Sequence, residues 1–290
     1  MVRSGRLALA SVMTCGLLAA TVVVAPAALA VPGLQLISAG STYDSSASKR
    51  VRAVCPAGRQ VVGVAASILN GQGQAILTGY RPVDGGSFSY ADVAAREDIT
   101  GYAGSWSLTA YAICAMPVPG WQIVSATNVP ASPSNAAVVA TCPAGKRPLG
   151  FGGWIDNPGA GQVILNATYV VSSDTATGAE GVEDEAGFAG IWSVSAYAIC
   201  ATPVPGREVV TGEFPSASMD SSSPKSFPLR CPAGKSVHGI GARINGSIQD
   251  TALEDLIPAA NLTSVTFSAF EDEDGEPDGW QLRGILVCAT

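Results

Sequence analysis

Apolar and polar residues alternate along many segments of the chain with the two-residue period of a β-strand. In 106–114 one face is wholly apolar, whereas the other face begins polar and ends apolar. Similar patterns occupy 121–126, 136–142, 162–171 and 262–270. Turn-forming sequences such as Asn157-Pro158-Gly159 lie between these segments. Since no segment has the pattern of a capped amphipathic helix, the sequence predicts an all-β fold.

The same module occurs three times in the chain. Its start, Cys55-Pro-Ala-Gly-Arg59, recurs as Cys142-Pro-Ala-Gly-Lys146 and Cys231-Pro-Ala-Gly-Lys235. Its end, at 106–114, recurs closely at 192–200 and in a diverged form at 280–288. Short Pro-Val-Pro-Gly segments join the copies. We therefore predict three repeats of about six strands each, at 31–118, 119–204 and 205–290.

Each copy contains two cysteines, and their separation within a copy is nearly constant. Six cysteines allow fifteen connectivities, but duplication of one module favours the same pairing within every copy. The predicted disulfides are Cys55–Cys114, Cys142–Cys200 and Cys231–Cys288. The predicted architecture is three tandem β-sandwich-like modules, each stapled by one disulfide. Because the joints are short and stiff, the modules either stack as a rod, which we favour, or close into one body with pseudo-threefold symmetry, as in β-prisms.

Residues 1–30 have the pattern of a secretory signal peptide. Two arginines precede the apolar run 7–25, and Ala28-Leu29-Ala30 places small residues before Val31. Cleavage there removes Cys15 and leaves six cysteines, the even number expected of a disulfide-bonded exported protein. We predict a secreted, extracellular protein. The alternative is an uncleaved anchor, because the apolar run is nearly long enough to span a membrane.

Composition and charge narrow the range of partners. Charged residues make up 13% of the chain, against about 25% in a typical soluble protein. The net charge is −7, and loss of Arg3 and Arg6 makes it more negative. With no basic run, nucleic acid is not an expected partner. No second hydrophobic segment follows the first, so no membrane contact is expected after cleavage. The abundance of Ala, Gly and Val and the excess of Arg over Lys suggest a bacterial source.

Three motifs of the module resemble a repeat of secreted actinobacterial proteins of uncharacterised function. They are the Cys-Pro-Ala-Gly-Lys start, the segment Glu-Asp-x-x-Gly-Tyr-x-Gly-x-Trp at 97–106, and the Ala-Tyr-Ala-Ile-Cys-Ala end. This resemblance covers nearly all of 31–290 and implies export and β structure, with no catalytic residues to transfer. The chain is also more distantly similar to the vitelline membrane outer layer protein family. That family is threefold, β-rich, disulfide-bonded and associated with carbohydrate, but its repeats are shorter and no site residue is matched.

An acidic pair precedes each repeated tryptophan by nine and eight residues. The pairs are Glu97-Asp98, Glu183-Asp184 and Glu271-Asp272. Carboxylates and loop carbonyls together suit Ca²⁺, which is the one cofactor that the sequence suggests. The alternative is that these carboxylates cap turns or keep a loop soluble, because the EF-hand spacing is not matched. Adjacent residues of a strand point to opposite faces, so each pair is a poor acid and base for glycoside hydrolysis.

The only histidine, His238, stands where the other copies have Val62 and Leu149. We therefore expect a packed side chain rather than a catalytic base or a zinc ligand. The glycine-rich segments 150–153 and 239–241 lack the lysine and the following helix of a phosphate loop. They instead predict close packing of strands.

The aromatic residues of the module end divide between its two faces. Trp106, Trp192 and Trp280 share the cysteine face and are expected in the core. Tyr111 and Tyr197 lie on the opposite face and are candidates for ligand contact.

We expect a secreted protein, not an enzyme, that binds an unknown extracellular ligand or has a structural role. Three copies would allow multivalent display of one weak surface. The alternative is a lectin-like protein that binds polysaccharide or the cell wall. A secreted hydrolase is the second alternative, and it would need an unrepeated polar cluster that the sequence does not show.

Overall fold

The computed structural model describes Met1 and residues 31–290, so the predicted signal peptide and Cys15 lie outside the described residues. The described residues form eighteen β-strands, six in each predicted repeat, and no helix. Accordingly, no helix long and apolar enough to span a membrane occurs in this part of the chain. The prediction of an all-β fold is confirmed.

The strands follow one another in the same order in each repeat. The first repeat contains β1 (Gln35–Gly40), β2 (Ser48–Val54), β3 (Gln60–Leu69), β4 (Ala75–Asp84), β5 (Ser89–Glu97) and β6 (Ser107–Ala115). The second contains β7 (Gln122–Thr127), β8 (Asn135–Thr141), β9 (Arg147–Asp156), β10 (Val163–Val170), β11 (Ala176–Glu183) and β12 (Ser193–Ala201). The third contains β13 (Glu208–Phe214), β14 (Lys225–Arg230), β15 (Ser236–Gly246), β16 (Thr251–Pro258), β17 (Ser264–Glu271) and β18 (Trp280–Ala289).

Each repeat is sandwich-like, because its six strands form two antiparallel groups of three. In the first repeat one group is β1-β6-β3 and the other is β2-β5-β4. The alternation in β6 places Leu108 and Ala110 in the interior between the groups, where both are fully buried. Strand alternation therefore predicted the core face of this strand correctly.

One disulfide links the two groups of strands in each repeat. The three pairs are Cys55–Cys114, Cys142–Cys200 and Cys231–Cys288, as predicted. Each closes a loop of 57 to 59 residues. In the chain-entropy model such a loop stabilises the folded state by roughly 4 kcal/mol.

The three repeats close into one body, because each group of strands continues into a group from another repeat. β4 pairs with β9 at Gly79–Trp154, β10 pairs with β15, and β16 pairs with β3. The resulting sheets are sheet I (β1-β6-β3-β16-β17-β14), sheet II (β2-β5-β4-β9-β12-β7) and sheet III (β8-β11-β10-β15-β18-β13). The pairing is cyclic, so the sheets surround a pseudo-threefold axis.

The rod that we favoured is therefore wrong, and the closed alternative describes the molecule. A rod of separate modules would leave one edge each of β3 and β4 without hydrogen-bonding partners, and likewise in every repeat. Closure pairs these edges with each other, which satisfies backbone groups that would otherwise face solvent or invite aggregation.

The third strands of the repeats approach one another closely near the axis. A Cβ atom added to one glycine of each strand would lie closer than 3.0 Å to a backbone carbonyl oxygen of the next repeat. The pairs are Gly63 with His238, Gly150 with Val62, and Gly239 with Leu149. Only glycine permits this approach, which agrees with the close packing predicted for the glycine-rich segments.

His238 is fully buried in this region, as predicted. Its Nδ1 lies 2.9 Å from the carbonyl oxygen of Ser236. Burial has the larger effect on the pKa of His238 and lowers it to about 4, although this contact acts to raise it. The imidazole is therefore neutral at physiological pH. Because it has no contact with solvent, it cannot transfer a proton to or from a substrate at the surface.

Candidate functional site

The glutamate of each acidic pair holds the repeated tryptophan. Each Glu Oε1 accepts a hydrogen bond from the indole Nε1 nine residues later. The pairs are Glu97–Trp106 at 3.1 Å, Glu183–Trp192 at 2.9 Å and Glu271–Trp280 at 2.6 Å. The indoles are buried, and a buried indole N–H requires an acceptor. The constant spacing of nine residues thus has a structural cause, and the structure places these glutamates on the tryptophans.

The aspartate of each pair caps a turn. Its Oδ1 accepts a hydrogen bond from the backbone N–H three residues later. The pairs are Asp98–Gly101 at 2.9 Å, Asp184–Gly187 at 2.9 Å and Asp272–Gly275 at 3.3 Å. All three aspartates thus cap a turn through one carboxylate oxygen. Turn capping is the alternative to ligand binding that the sequence pattern indicated. The second oxygen of each remains available for another contact.

Contacts between neighbouring repeats position the three aspartates near the pseudo-threefold axis. The turn after β3 packs on the acidic pair at 271–272, and the turn after β9 packs on that at 97–98, through Gly73 and Gly161. Both glycines have positive φ, +83° and +104°, and a Cβ on either would strike the opposing backbone. In the third repeat, Gln249 Nε2 donates to the carbonyl oxygen of Asp184 at 3.4 Å.

The aspartates line a small cavity on the pseudo-threefold axis, which we call the axial cavity. Asp98, Asp184 and Asp272 lie around it, and a small apolar cluster contributes to its lining. The apolar residues are Ile76, Ile164 and Ala252, one from each repeat. The cavity has a volume of about 20 Å³. That volume accommodates about one water-sized particle and is far too small for a sugar or a peptide side chain.

The axial cavity is strongly acidic. Glu185 and Glu273 join the three aspartates in its wall, and none of the residues that line it in the described part of the chain is basic. Burial first, and the charge of Glu185 second, raise the pKa of Asp184 to about 7 and that of Asp272 to about 6. Burial likewise raises the pKa of Asp98. Because no basic side chain lies among the described residues that line the cavity, ionised carboxylates there have no compensating positive charge.

Three residues of this region escaped the sequence prediction. Carboxylate oxygens of Glu185, Asp250 and Asp272 lie within 4.8 Å of one another. Asp250 Oδ1 and the hydroxyl of Thr251 are buried without a hydrogen-bond partner. A comparison of the three copies could have revealed Asp250 and Thr251, because each replaces an uncharged or apolar residue of both other repeats. Glu185 replaces Ile99 of the first repeat but matches Glu273 of the third.

The two tyrosine candidates lie away from the axial cavity, on different sheets. Tyr111 lies on sheet I, where burial and the charge of Asp255 raise its pKa. Tyr197 lies on sheet II, and its hydroxyl accepts a hydrogen bond from Arg81 Nη1 at 3.0 Å. The structure therefore separates them from the aspartates and places Tyr197 in a second polar cluster.

This second cluster covers the outward side of sheet II, and we call it the arginine–aromatic face. It consists of Arg50, Arg52, Arg81, Tyr90, Asp92, Trp154 and Tyr197. The Arg81 guanidinium lies 4.0 Å from the ring centroid of Trp154, and that of Arg50 lies 4.9 Å from it. Arg52 lies 5.2 Å from the ring of Tyr90. These cation–π contacts hold the guanidinium groups close to the aromatic rings.

The carboxylate of Asp92 forms salt bridges with three guanidinium groups on this face. Asp92 accepts from Arg50 Nε at 2.8 Å, and it also contacts Arg52 and Arg81. Although burial acts to raise the pKa of Asp92, its hydrogen bonds and charge interactions with Arg50 and Arg81 lower it overall. The side chain of Asp92 is only 1% exposed, whereas those of Arg50 and Arg52 are 47% and 56% exposed. The cluster therefore presents an excess of two positive charges to solvent.

The corresponding positions on the other two sheets differ. Where sheet II has Trp154, sheet I has Ser67 and sheet III has Arg243. On sheet III, Arg243 lies 3.2 Å from Glu180, so its charge is balanced. The outward faces of the three sheets are thus chemically distinct, although the strands that carry them are repeated.

No family model matches this sequence, and no curated protein is significantly similar to it.

Proposed function

We propose that this chain is a secreted, non-enzymatic protein that binds anionic polysaccharide through the arginine–aromatic face of sheet II. The observation that carries this proposal is the excess of arginine over carboxylate on a face that also presents aromatic rings. Three disulfides favour an exported protein, because such bonds persist mainly in oxidising compartments.

The chemistry of the face favours an anionic ligand. The chain as a whole has a net charge of −7, so a patch with two uncompensated guanidinium groups is a local exception. Guanidinium groups bind carboxylate and phosphate in a bidentate manner, and here cation–π contacts already order them. Binding therefore costs less side-chain entropy than it would on a surface of free arginines.

The aromatic residues favour a carbohydrate over a small inorganic anion. Tyr90 stacks on Phe88 with ring centroids 5.8 Å apart, and Phe88 is 47% exposed. An exposed ring beside a guanidinium group can contact the apolar face of a sugar while the arginine binds its charged substituent.

A binding role fits this chain better than catalysis. Since its single histidine is buried and neutral, the chain has no imidazole that could serve as a base at the surface. Asp98, Asp184 and Asp272, whose pKa values are raised, surround a cavity of about 20 Å³, whereas substrate pockets usually enclose about 300 Å³ or more. Because the three outward faces differ, we propose one binding face rather than three equal ones.

Pull-down of the oxidised protein on insoluble polysaccharides tests this proposal. The matrices are a carboxylated polysaccharide, bacterial cell walls that contain phosphate polymers, and a neutral glucan. We expect retention on the anionic matrices, release by salt, and no retention on the glucan. The double variant R50Q/R52Q should bind about tenfold more weakly or worse, because each charge-assisted contact is worth about 1.5 kcal/mol or more.

The double variant R243Q/R283Q is the matched control, because it removes two arginines from sheet III. Those arginines are about as exposed as Arg50 and are paired with Glu180 and Glu213. Arg81 still pairs with Asp92 in R50Q/R52Q, so that variant should remain folded. Failure of the folded wild-type protein to bind any anionic matrix would contradict the proposal and leave a structural role. Equal losses in both double variants would also contradict it.

A further inference from the structure

We propose that the carboxylate cluster beside the axial cavity, between the second and third repeats, is a Ca²⁺ site, with Glu185, Asp250 and Asp272 as its protein ligands. This site is independent of the arginine–aromatic face. A bound ion would cross-link the second and third repeats at the end of the axis where the acidic pairs lie.

The spacing of the carboxylates fits one ion. Oxygen atoms that bind one Ca²⁺ at about 2.4 Å lie no more than about 4.8 Å apart. One oxygen from each of Glu185, Asp250 and Asp272 satisfies this limit in all three pairs. The adjoining cavity has a volume of about 20 Å³, enough for one ion or one water and no larger ligand.

A second observation, independent of the acidic cluster, also indicates a ligand. Thr251 lines the cavity and is 2% exposed, yet its hydroxyl has no hydrogen-bond partner. Within the cluster itself, Asp250 Oδ1 is also buried without a partner. Unpartnered buried oxygens are costly, and a hard cation that accepts electron pairs from neutral and anionic oxygens satisfies both.

Two residues of this region occupy positions at which the third repeat departs from both others. Asp250 stands where the other two repeats have Gln74 and Gln162. Thr251 stands where they have Ala75 and Val163. Asp250 and Thr251 thus add oxygen atoms on one side of the axis, next to Asp272, whose acidic character all three repeats share. Glu185 is shared with the third repeat, which has Glu273 there, whereas the first repeat has Ile99.

A bound cation would also reduce the repulsion between the carboxylates of this region. Glu185 is exposed, whereas Asp250 and Asp272 are partly buried. The exposed position of Glu185 leaves a path for an ion to enter from solvent. A divalent ion would neutralise like charges that, among the described residues, have no basic side chain in the cavity wall.

Calorimetric titration of the oxidised, chelator-treated protein with CaCl₂ tests the site. We expect one equivalent of Ca²⁺ to bind, with a Kd on the order of 10⁻⁴ M, in the range of extracellular Ca²⁺ modules. The same protein should melt at a higher temperature in excess Ca²⁺ than in chelator, because binding stabilises the folded state by mass action. Absence of binding up to about 10 mM CaCl₂ would overturn the proposal.

The substitution D250Q separates ligation from folding, because glutamine is the residue that the other two repeats carry there. We expect D250Q and E185Q each to weaken Ca²⁺ binding at least tenfold and to reduce the increase in Tm. In chelator, D250Q should be as stable as the wild type or more stable, since it removes like-charge repulsion. D156N removes one exposed carboxylate away from the cavity and should bind Ca²⁺ normally. Wild-type affinity in both D250Q and E185Q would overturn the assignment.

Discussion

Glu183 accepts a hydrogen bond of 2.9 Å from the indole nitrogen of Trp192, and the same bond recurs in both other repeats. Trp192 is 1% exposed. Glu183 Oε2 also accepts from the backbone N–H of Phe188 at 3.2 Å. A single side chain thus anchors a core indole and the turn that leads to it. This bond explains why glutamate and tryptophan keep a constant separation in all three copies.

Replacement of Glu183 should show that the bond to the indole, rather than the charge, is what matters. E183A leaves the indole N–H unpaired in the core and should reduce the free energy of unfolding by about 1–3 kcal/mol. E183Q keeps an acceptor oxygen and should lose less than about 1 kcal/mol. Urea unfolding of the two variants checks this difference, and equal losses would refute the role assigned to the acceptor.

The approach of strands near the axis should not tolerate a methyl group. A Cβ on Gly63 would meet the backbone of His238, which has no room to move aside. We expect G63A to lose about 3 kcal/mol or more, or to fail to fold. Gly40, on β1, offers a matched control, because a Cβ there would meet nothing closer than 4.0 Å. Thermal melting of G63A and G40A should therefore differ strongly, and similar melting temperatures would contradict the close packing.

Closure of the repeats through β3–β16, β4–β9 and β10–β15 predicts that the protein unfolds as one unit. Calorimetry should give a van't Hoff enthalpy close to the calorimetric enthalpy for the whole chain. Removal of one disulfide, as in the double variant C142A/C200A, should lower the stability of all three repeats together by roughly 4 kcal/mol. Three separate transitions, with only one shifted in the variant, would instead indicate independent modules.

Glu254 gives the stability of the fold a specific dependence on pH. It is buried, and its Oε1 accepts from the backbone N–H of Gly73 at 2.6 Å. Burial first, and the charge of Asp255 in addition, raise its pKa from 4.5 to about 8, despite the opposing effect of that hydrogen bond. The folded state therefore holds a proton that the unfolded state releases between pH 4.5 and pH 8.

Because the folded pKa is the higher one, the contribution of Glu254 is most favourable below pH 4.5 and is lost as the pH rises through about 8. E254Q removes this titration and keeps an acceptor for Gly73. We expect E254Q to lose less stability than the wild type between pH 5 and pH 8, by about 1.4 kcal/mol for each unit of pKa shift. Parallel stability curves for the two proteins would show that Glu254 is not perturbed.

The sequence predicted the features that depend on local pattern. Alternation in β6 identified its core face, and duplication identified the three disulfides. Closure was not predictable, because β4 and β9 come from different repeats and no local pattern records which edges pair. The role of Glu97 also depends on tertiary geometry, since the nine-residue spacing does not reveal that its carboxylate turns to the Trp106 indole.

The arginine–aromatic face escaped prediction for a related reason. Arg50, Arg81, Trp154 and Tyr197 lie on four strands from two repeats, and only sheet closure makes them neighbours. Tyr197 was found because alternation placed it opposite the core. Its arginine partner is distant in sequence, at position 81.

Indole resonances provide the most direct test of the binding face. The chain has five tryptophans. Trp106, Trp192 and Trp280 donate to glutamate carboxylates, and Trp121 donates to the carbonyl oxygen of Val61. Trp154 instead lies beneath Arg81 and Arg50 on sheet II. A soluble anionic oligosaccharide should therefore shift the indole ¹H–¹⁵N signal of Trp154, assigned with W154F, and leave the three core signals unchanged. An unchanged Trp154 signal when the protein is saturated with a ligand that it binds would contradict the account.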